Sequence, residues 1–207
     1  MRHTRAEALL TRARLVDAAL AAFCDNGVHA TTLGDVAMRA GFTRGAVYWH
    51  FANKDALLNE IIAGLQWPLD IGSDLAPYRT HPRPLDRLRR QLWLQIQRCT
   101  QDPAQWQRVR LMLRHGAGPD LPVDARMHIE HATSAAISRL VQVMDIAHAR
   151  GQLRQGLEPA TAANCLHSVG IGVLSAHAVD PLQPGQRSTW PLCVDVFMAG
   201  LCAAPNG

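Results

Sequence analysis

Thr32, Thr43, Arg44, Gly45, Tyr48, Trp49, His50 and Lys54 lie within 23 residues of one another and have the types and spacing to grip a polyanion. Arg44 falls in the first turn of one expected helix and Lys54 in the first turn of the next. A helix N-terminus carries partial positive charge, so a cation there costs about 0.3–1 kcal/mol. The placement makes sense if a polyanion docks on those ends, and DNA is the natural candidate. Arg44 has the planar fork that reads a guanine edge bidentately, and Gly45 lets the backbone approach closely. Tyr48 suits a phosphate or a thymine methyl. His50 and Lys54 suit phosphates, as do the hydroxyls and amides of Thr32 and Thr43 at expected helix caps. Successive side chains on a helix point about 100° apart. One of Tyr48 and Trp49 is therefore expected to be exposed, although Tyr48, Trp49 and Phe51 are equally the residue types that fill a core.

Positioning such a set needs a short helix, a tight turn and a second helix exposing one face. The sequence supplies these parts. Thr32 with Asp35 has capping-box form and opens a helix that ends near Arg39. Ala40-Gly41-Phe42 makes the turn, where Gly41 adopts a positive φ cheaply. Thr43 caps the next helix, Arg44 to Phe51, and Asn53 caps a fourth, Lys54 to about Gln66. Val36, Ala37, Val47 and Phe51 are spaced to face inward. A first helix, from near Thr4 to Asp25, opens on a second capping box, Thr4 to Glu7, and stops at Asn26-Gly27.

The remaining chain also reads all-helical, without strand-like alternation. Residues 68–83 read as a loop or broken helix. Helices follow at Pro84 to Thr100, Pro103 to His115, about Asp124 to Arg150, and over residues 159–178 and 189–202. Asp180 to Gln186 separates the last two. The expected organisation is an N-terminal three-helix helix-turn-helix domain, residues 1–54, joined to a larger helical ligand-binding and dimerisation domain, residues 55–207.

Composition bounds the function less tightly. The net charge is +4, and residues 1–55 carry seven Lys/Arg against five Asp/Glu, so placement rather than charge density carries the argument. Lys54 is the only lysine. No uninterrupted apolar run approaches the roughly 20 residues of a membrane span. Arg12 and Arg14 break any signal core. The expectation is a cytoplasmic protein with no membrane partner. Cys24, Cys99, Cys165, Cys193 and Cys202 form no CxxC pair and read as buried small hydrophobes. His128 and His131 lie three apart on one helix, but only Glu130 accompanies them, so surface histidines are the better reading and no metal is assigned. No nucleophile triad, phosphate loop or HExxH is present, hence no catalytic residue and no cofactor.

The stretch Thr31 to Ala37, then Ala40 to Phe51, then Asn53 to Leu57, resembles the DNA-binding domain of TetR/AcrR-type repressors over about fifty residues. The wording TRGAVYWHF and the opening Arg2 to Ala19 look most like the subgroup that represses multidrug efflux operons. Beyond residue 65 the resemblance is one of layout. It implies double-stranded operator DNA as a partner, a hydrophobic small-molecule effector in a helical cavity, and a homodimer through the last two helices. It implies that Thr32, Thr43, Tyr48, Trp49, His50 and Lys54 contact the DNA backbone while Arg44 and Gly45 approach bases.

Helix faces that could line the effector cavity include Trp67, Leu92, Ile96, Arg110, Leu113, Arg114, Leu140, Leu166, His167 and Gly170. The same residues serve equally as core packing. Trp67, Trp93 and Trp106 offer flat surfaces for aromatic or cationic ligands, and Arg110 with Arg114 at i,i+4 could meet an anionic or phenolic one. Small residues at Ala162, Ala163, Ser168, Gly170, Gly172 and Ala176, with Val194, Phe197, Met198 and Leu201, could build a four-helix dimer interface. The function expected is a ligand-responsive repressor of a multidrug efflux operon, bound to a palindromic operator as a dimer. The alternatives are a regulator of another metabolic or stress operon, or a DNA binder without effector.

Overall fold

Side-chain caps written in the sequence start four of the helices, at Thr32, Thr43, Asn53 and Asp102. The structure is a computed structural model that describes residues 5–116, 118, 120–179 and 190–202, without the side chains of 190 and 191. The Thr4 capping box and the Asp180 to Gln186 breaker lie outside the described residues. Among the described residues ten helices run in order: α1 Arg5–Asn26, α2 Leu33–Ala40, α3 Arg44–His50, α4 Lys54–Ala63, α5 Ala76–Thr80, α6 Pro84–Gln101, α7 Pro103–His115, α8 Val123–Ala149, α9 Pro159–Val179 and α10 Trp190–Leu201. One antiparallel bridge pairs Leu153 with Cys202.

The chain divides into two compact units. The first holds the described residues up to Gln66 together with Asp102–His131; the second holds Trp67–Gln101 and the described residues from Ala132. The first unit thus extends past Lys54 to take in α4 and α7. Its core is Leu15, Ala19, Leu20 and Phe23 of α1, Val36 and Ala37 of α2, Val47, Phe51, Leu57, Leu58, Ile61 and Ile62, with Val109 and Leu111 of α7. Each large apolar side chain fully buried contributes about 1.5–3 kcal/mol. Val36, Ala37, Val47 and Phe51 face inward as their spacing requires.

The second unit packs α5 on α6, α6 on α10 and α9 on α10. A Cβ at Gly170 of α9 would stand 2.7 Å from Leu69 Cδ1, so a side chain there would have to displace that of Leu69. Among the described residues α9 is the one helix long and apolar enough to cross a membrane by length and composition. Its face of Ala162, Ala163, Leu166, His167, Gly170, Leu174 and Ala178 is buried in the chain, as in a core helix.

Several expectations shift. Helix α4 stops at Ala63, short of Gln66, and its C-cap Gly64 lies beside Arg108, whose Nε would stand 3.1 Å from a Cβ there. The loop over residues 68–83 contains the short helix α5, started where Asp74 Oδ1 accepts from the Ala76 amide at 3.0 Å. Only Cys99 of the five cysteines is buried, and Cys165 is exposed.

Candidate nucleic-acid interface

The helix-turn-helix is held by three side-chain caps and one glycine. Thr32 accepts from the Asp35 amide at 3.2 Å while the Asp35 carboxylate accepts from the Thr32 amide at 2.9 Å and from its hydroxyl at 2.7 Å. These bonds hold the Asp35 carboxyl below the usual carboxylate range. Gly41 takes the left-handed conformation with φ 73°, which returns the Phe42 amide to Ala37 O at 2.9 Å and closes the turn. A Cβ-bearing residue there is strained. Thr43 caps α3 through the Ala46 amide at 3.2 Å, and Asn53 caps α4 through Ala56 at 2.8 Å.

On this frame α3 buries Val47 and turns Arg44, Gly45, Tyr48 and Trp49 outward. Trp49 is 73% exposed and Tyr48 48%, so both aromatics leave the core, where the sequence required only one to do so. The Arg44 guanidinium lies 5.8 Å from the Tyr48 ring centroid. No carboxylate or carbonyl partner for it is found among the described residues. Thr32 and Thr43 are exposed at their caps. A cleft of about 300 Å³ lined by Ala8, Thr11, Phe42, Ala46, Trp49 and His50 separates α1 from α3.

Neighbouring cations are engaged within the chain. Lys54, expected on phosphates, donates instead to the carbonyls of Val28 at 2.9 Å, Thr31 at 3.3 Å and His29 at 3.4 Å. An ammonium has three donors, and these three carbonyls account for them. The electrostatic oddity of a cation at the start of α4 is thus answered within the chain. His50 is half-buried, its ring edge-on to Trp49 with centroids 4.5 Å apart. Burial, and then the neighbouring Arg12, hold its pKa below the ordinary value. Arg39 pairs with Asp25 at 2.7 Å. Arg12 and Arg14, marked in the sequence only as breaks in a signal core, send their guanidiniums to the ends of α3 and α2. The signal available was an aromatic residue within two positions of each helix end, Phe42 and Phe51.

Comparison with known proteins agrees with this geometry. The family description "Bacterial regulatory proteins, tetR family" matches residues 15–61. Over 175 residues the chain is 31% identical to the HTH-type transcriptional regulator TtgR of Pseudomonas putida, spanning 84% of this chain and 83% of that protein. The chain belongs to the TetR family. Its match to the probable acrEF/envCD operon repressor of Escherichia coli (strain K12) is 53% identical over 60 residues, 29% of this chain and only 27% of that protein. The SmeT–triclosan complex superposes with a TM-score of 0.72 at 31% identity, covering 93% of this chain and 92% of SmeT, a Stenotrophomonas maltophilia repressor. This TetR-family chain is therefore a helix-turn-helix transcriptional regulator.

The expected effector residues of this TetR-family regulator fall in both units. Leu92, Ile96, Leu140 and Leu166 are buried in the second, and Gly170 abuts Leu69. Trp67 and His167 stack there with parallel rings, centroids 6.1 Å apart. They are 7% and 8% exposed, and neither Trp67 Nε1 nor His167 Nε2 has a hydrogen-bond partner. Burial holds the His167 pKa below its ordinary value. Arg110, Leu113 and Arg114 lie in the first unit. Arg114 reaches the Cys24 carbonyl at 3.5 Å, and Arg110 has a buried Nε without a partner. Burial raises the Cys24 pKa against the opposing pull of both arginines. Trp93 stands apart from Trp67, in a surface groove of about 390 Å³ with Arg89, Arg90, Leu94, Val194 and Asp195. Trp106 belongs to the first unit.

The small-residue face of α9 divides. Ala162, Ala163 and Gly170 are buried within the chain, whereas Ser168, Gly172 and Ala176 are exposed. On α10, Val194, Met198 and Leu201 are buried in the chain's own core, correcting their expected interface role, while Leu192 and Val196 are exposed. His128 and His131 are exposed, and no group of three or more metal-ligating side chains is found among the described residues.

Proposed function

We propose that this TetR-family regulator is a ligand-responsive, cytoplasmic repressor that binds a palindromic operator as a homodimer, controls a multidrug efflux operon and is released by a hydrophobic small molecule. The observation that carries the DNA reading is Arg44, whose guanidinium has only an exposed tyrosine ring beside it while the neighbouring cations are engaged with carbonyls and carboxylates. Arg44 and Gly45 approach bases. Thr32, Thr43, Tyr48, Trp49 and His50 contact the backbone, while the Lys54 donors hold the loop before α2.

The operon assignment is supported by the relatives' names, an acrEF/envCD operon repressor and the repressor of the SmeDEF multidrug efflux pump. A hydrophobic effector is supported by the triclosan complex of SmeT. In this chain we place its polar contact on the unpartnered Trp67 and His167 ring nitrogens, because a buried donor without a partner costs about 1–3 kcal/mol that a ligand oxygen recovers. Leu92, Ile96, Leu140, Leu166 and Gly170 are secondary candidates, as are Arg110, Leu113 and Arg114. The dimer forms through the exposed faces of α9 and α10.

The test is fluorescence anisotropy with a duplex that the wild-type chain selects from a random-sequence pool, followed by titration with triclosan. Enrichment of a two-fold symmetric sequence and its release by triclosan are the expected results. Selection of an asymmetric or featureless pool overturns the operator reading, and release insensitive to triclosan and to other hydrophobic compounds leaves a DNA binder without effector.

A further inference from the structure

Two arginines on α1, Arg12 and Arg14, grip the two helices of the helix-turn-helix at matching points. Arg12 Nη1 donates to the carbonyl of His50, the last residue of α3, at 2.8 Å, and its guanidinium lies 4.3 Å from the Phe51 ring centroid. The same guanidinium is held bidentately by Glu60 of α4, Nε to Oε1 at 3.1 Å and Nη2 to Oε2 at 3.0 Å. Arg14 Nη2 donates to the carbonyl of Ala40, the last residue of α2, at 3.4 Å, and its guanidinium lies 4.8 Å from the Phe42 ring centroid. Each arginine therefore meets a helix C-terminus and the aromatic just beyond it.

The chemistry favours both contacts. The last carbonyls of a helix lack intrahelical partners and carry partial negative charge, so a cation there is stabilising. A guanidinium over an aromatic face adds a cation–π attraction. By composition alone both residues would count as phosphate contacts. Their geometry directs them into the frame instead. Because α3 has only seven residues, its hydrogen bonds alone do not hold its direction. Arg44 lies at the end of α3 opposite the Arg12 grip. At about 1.5 Å rise per residue, those ends are roughly 9 Å apart, so a 10° tilt moves the Arg44 backbone by about 1.5 Å. That displacement breaks a bidentate base contact, whose geometry tolerates little.

We propose that Arg12 and Arg14 are positioning residues for sequence reading, which rests on the DNA-binding function proposed above: they fix the directions of α2 and α3 from α1 without touching DNA. Arg12, anchored by Glu60, is the stronger of the two. The variants Arg12→Lys, Arg12→Gln, Arg14→Lys and Arg14→Gln are compared with the wild-type full chain. Anisotropy is read on the wild-type-selected duplex and on a scrambled duplex of equal length, over a range of salt.

A positioning role predicts that Arg12→Lys and Arg12→Gln lower the preference for the selected duplex by about tenfold, with Arg14 variants lowering it about threefold. Binding to the scrambled duplex and its salt slope stay as in the wild type. A slope reduced by about 0.9 in the Gln variants, with preference intact, makes the residues phosphate contacts and overturns the proposal. A lower melting temperature with unchanged preference makes them merely structural and overturns it too. If Arg12 variants do not fold, Glu60→Gln keeps the shape and removes the anchor, and preference must then fall about threefold. A wild-type chain that enriches no sequence removes the DNA reading itself, whereas loss confined to the variants bears on the arginines alone.

Discussion

Arg44 and Lys54 carry the same charge in the first turns of successive helices, yet their heads do different things. The Lys54 ammonium is engaged by the carbonyls of Val28, His29 and Thr31, while the Arg44 guanidinium meets only the Tyr48 ring. Arg44→Ala is therefore expected to cost about 1–3 kcal/mol of discrimination between the selected and a random duplex, read by anisotropy. Unchanged discrimination removes Arg44 from base reading. Lys54→Met is expected to act mainly on the fold. Its half-exposed bonds contribute about 1–2 kcal/mol, below the range for fully buried charged pairs. The melting temperature should then fall by about 2–8 °C for a chain of this size. The salt slope of DNA binding should hold, and a slope lower by about 0.9 would return Lys54 to the phosphates. His167 sets a pH dependence. Burial depresses its pKa from the ordinary 6.5, so the unfolded chain takes up the proton first as pH falls. The stability contribution is complete above about pH 6.5–7 and is lost on acidification through the folded-state pKa. His167→Phe should flatten the fall in melting temperature between about pH 7 and pH 5. A fall as steep as in the wild type would assign it to other groups.

Helix ends were legible in the sequence wherever a local cap decides them. Thr32 with Asp35, Gly41 and Thr43 stand within a few residues of the ends they set, and the structure places α2 and α3 between them. Ends decided by distant chain were not legible. Helix α4 stops at Gly64, beside Arg108 more than forty residues away and short of the Gln66 expected from local sequence. The same limit applies to faces. Val36, Ala37, Val47 and Phe51 could be assigned inward because a short amphipathic helix has one core to face. The α9 stripe at Ala162 to Ala176 is small on both sides, so no periodicity says which side meets Leu69 and which meets solvent. The outward set of Arg44, Gly45, Tyr48 and Trp49 was legible for the first reason, and the Arg12 and Arg14 grips were missed for the second. Caps matter most for α3, since a helix of seven residues is too short to persist without tertiary support. Thr43→Ala should cost about 0.5–2 kcal/mol and raise amide exchange first in α3. Exchange that rises evenly across the first unit would show that the cap is not what holds this helix.

One helix-turn-helix reads only a few base pairs, and two related by a two-fold axis must be spaced by about one turn of DNA, roughly 34–36 Å. In the proposed homodimer the distance between recognition helices is therefore a property of the assembly, fixed wherever two copies meet. Helix α10 divides into a side that belongs to the monomer and a side that does not. Val194, Met198 and Leu201 are buried in the chain itself, whereas Leu192 and Val196, four residues apart, are exposed on one face. Exposed Gly172 and Ala176 on α9 allow a partner helix close approach. The two sides make a matched experiment. Val196→Asp places a charge on the outward face, so the protomer should keep its helical content and melting behaviour. Sedimentation should shift from dimer to monomer at micromolar concentration. Affinity for the selected duplex should fall by about a hundredfold, because one half-site supplies too few base contacts. Val194→Asp buries the charge instead and should unfold the second unit. If Val196→Asp still sediments as a dimer and binds the duplex as tightly, the interface lies on another face, and the spacing of the recognition helices is set there.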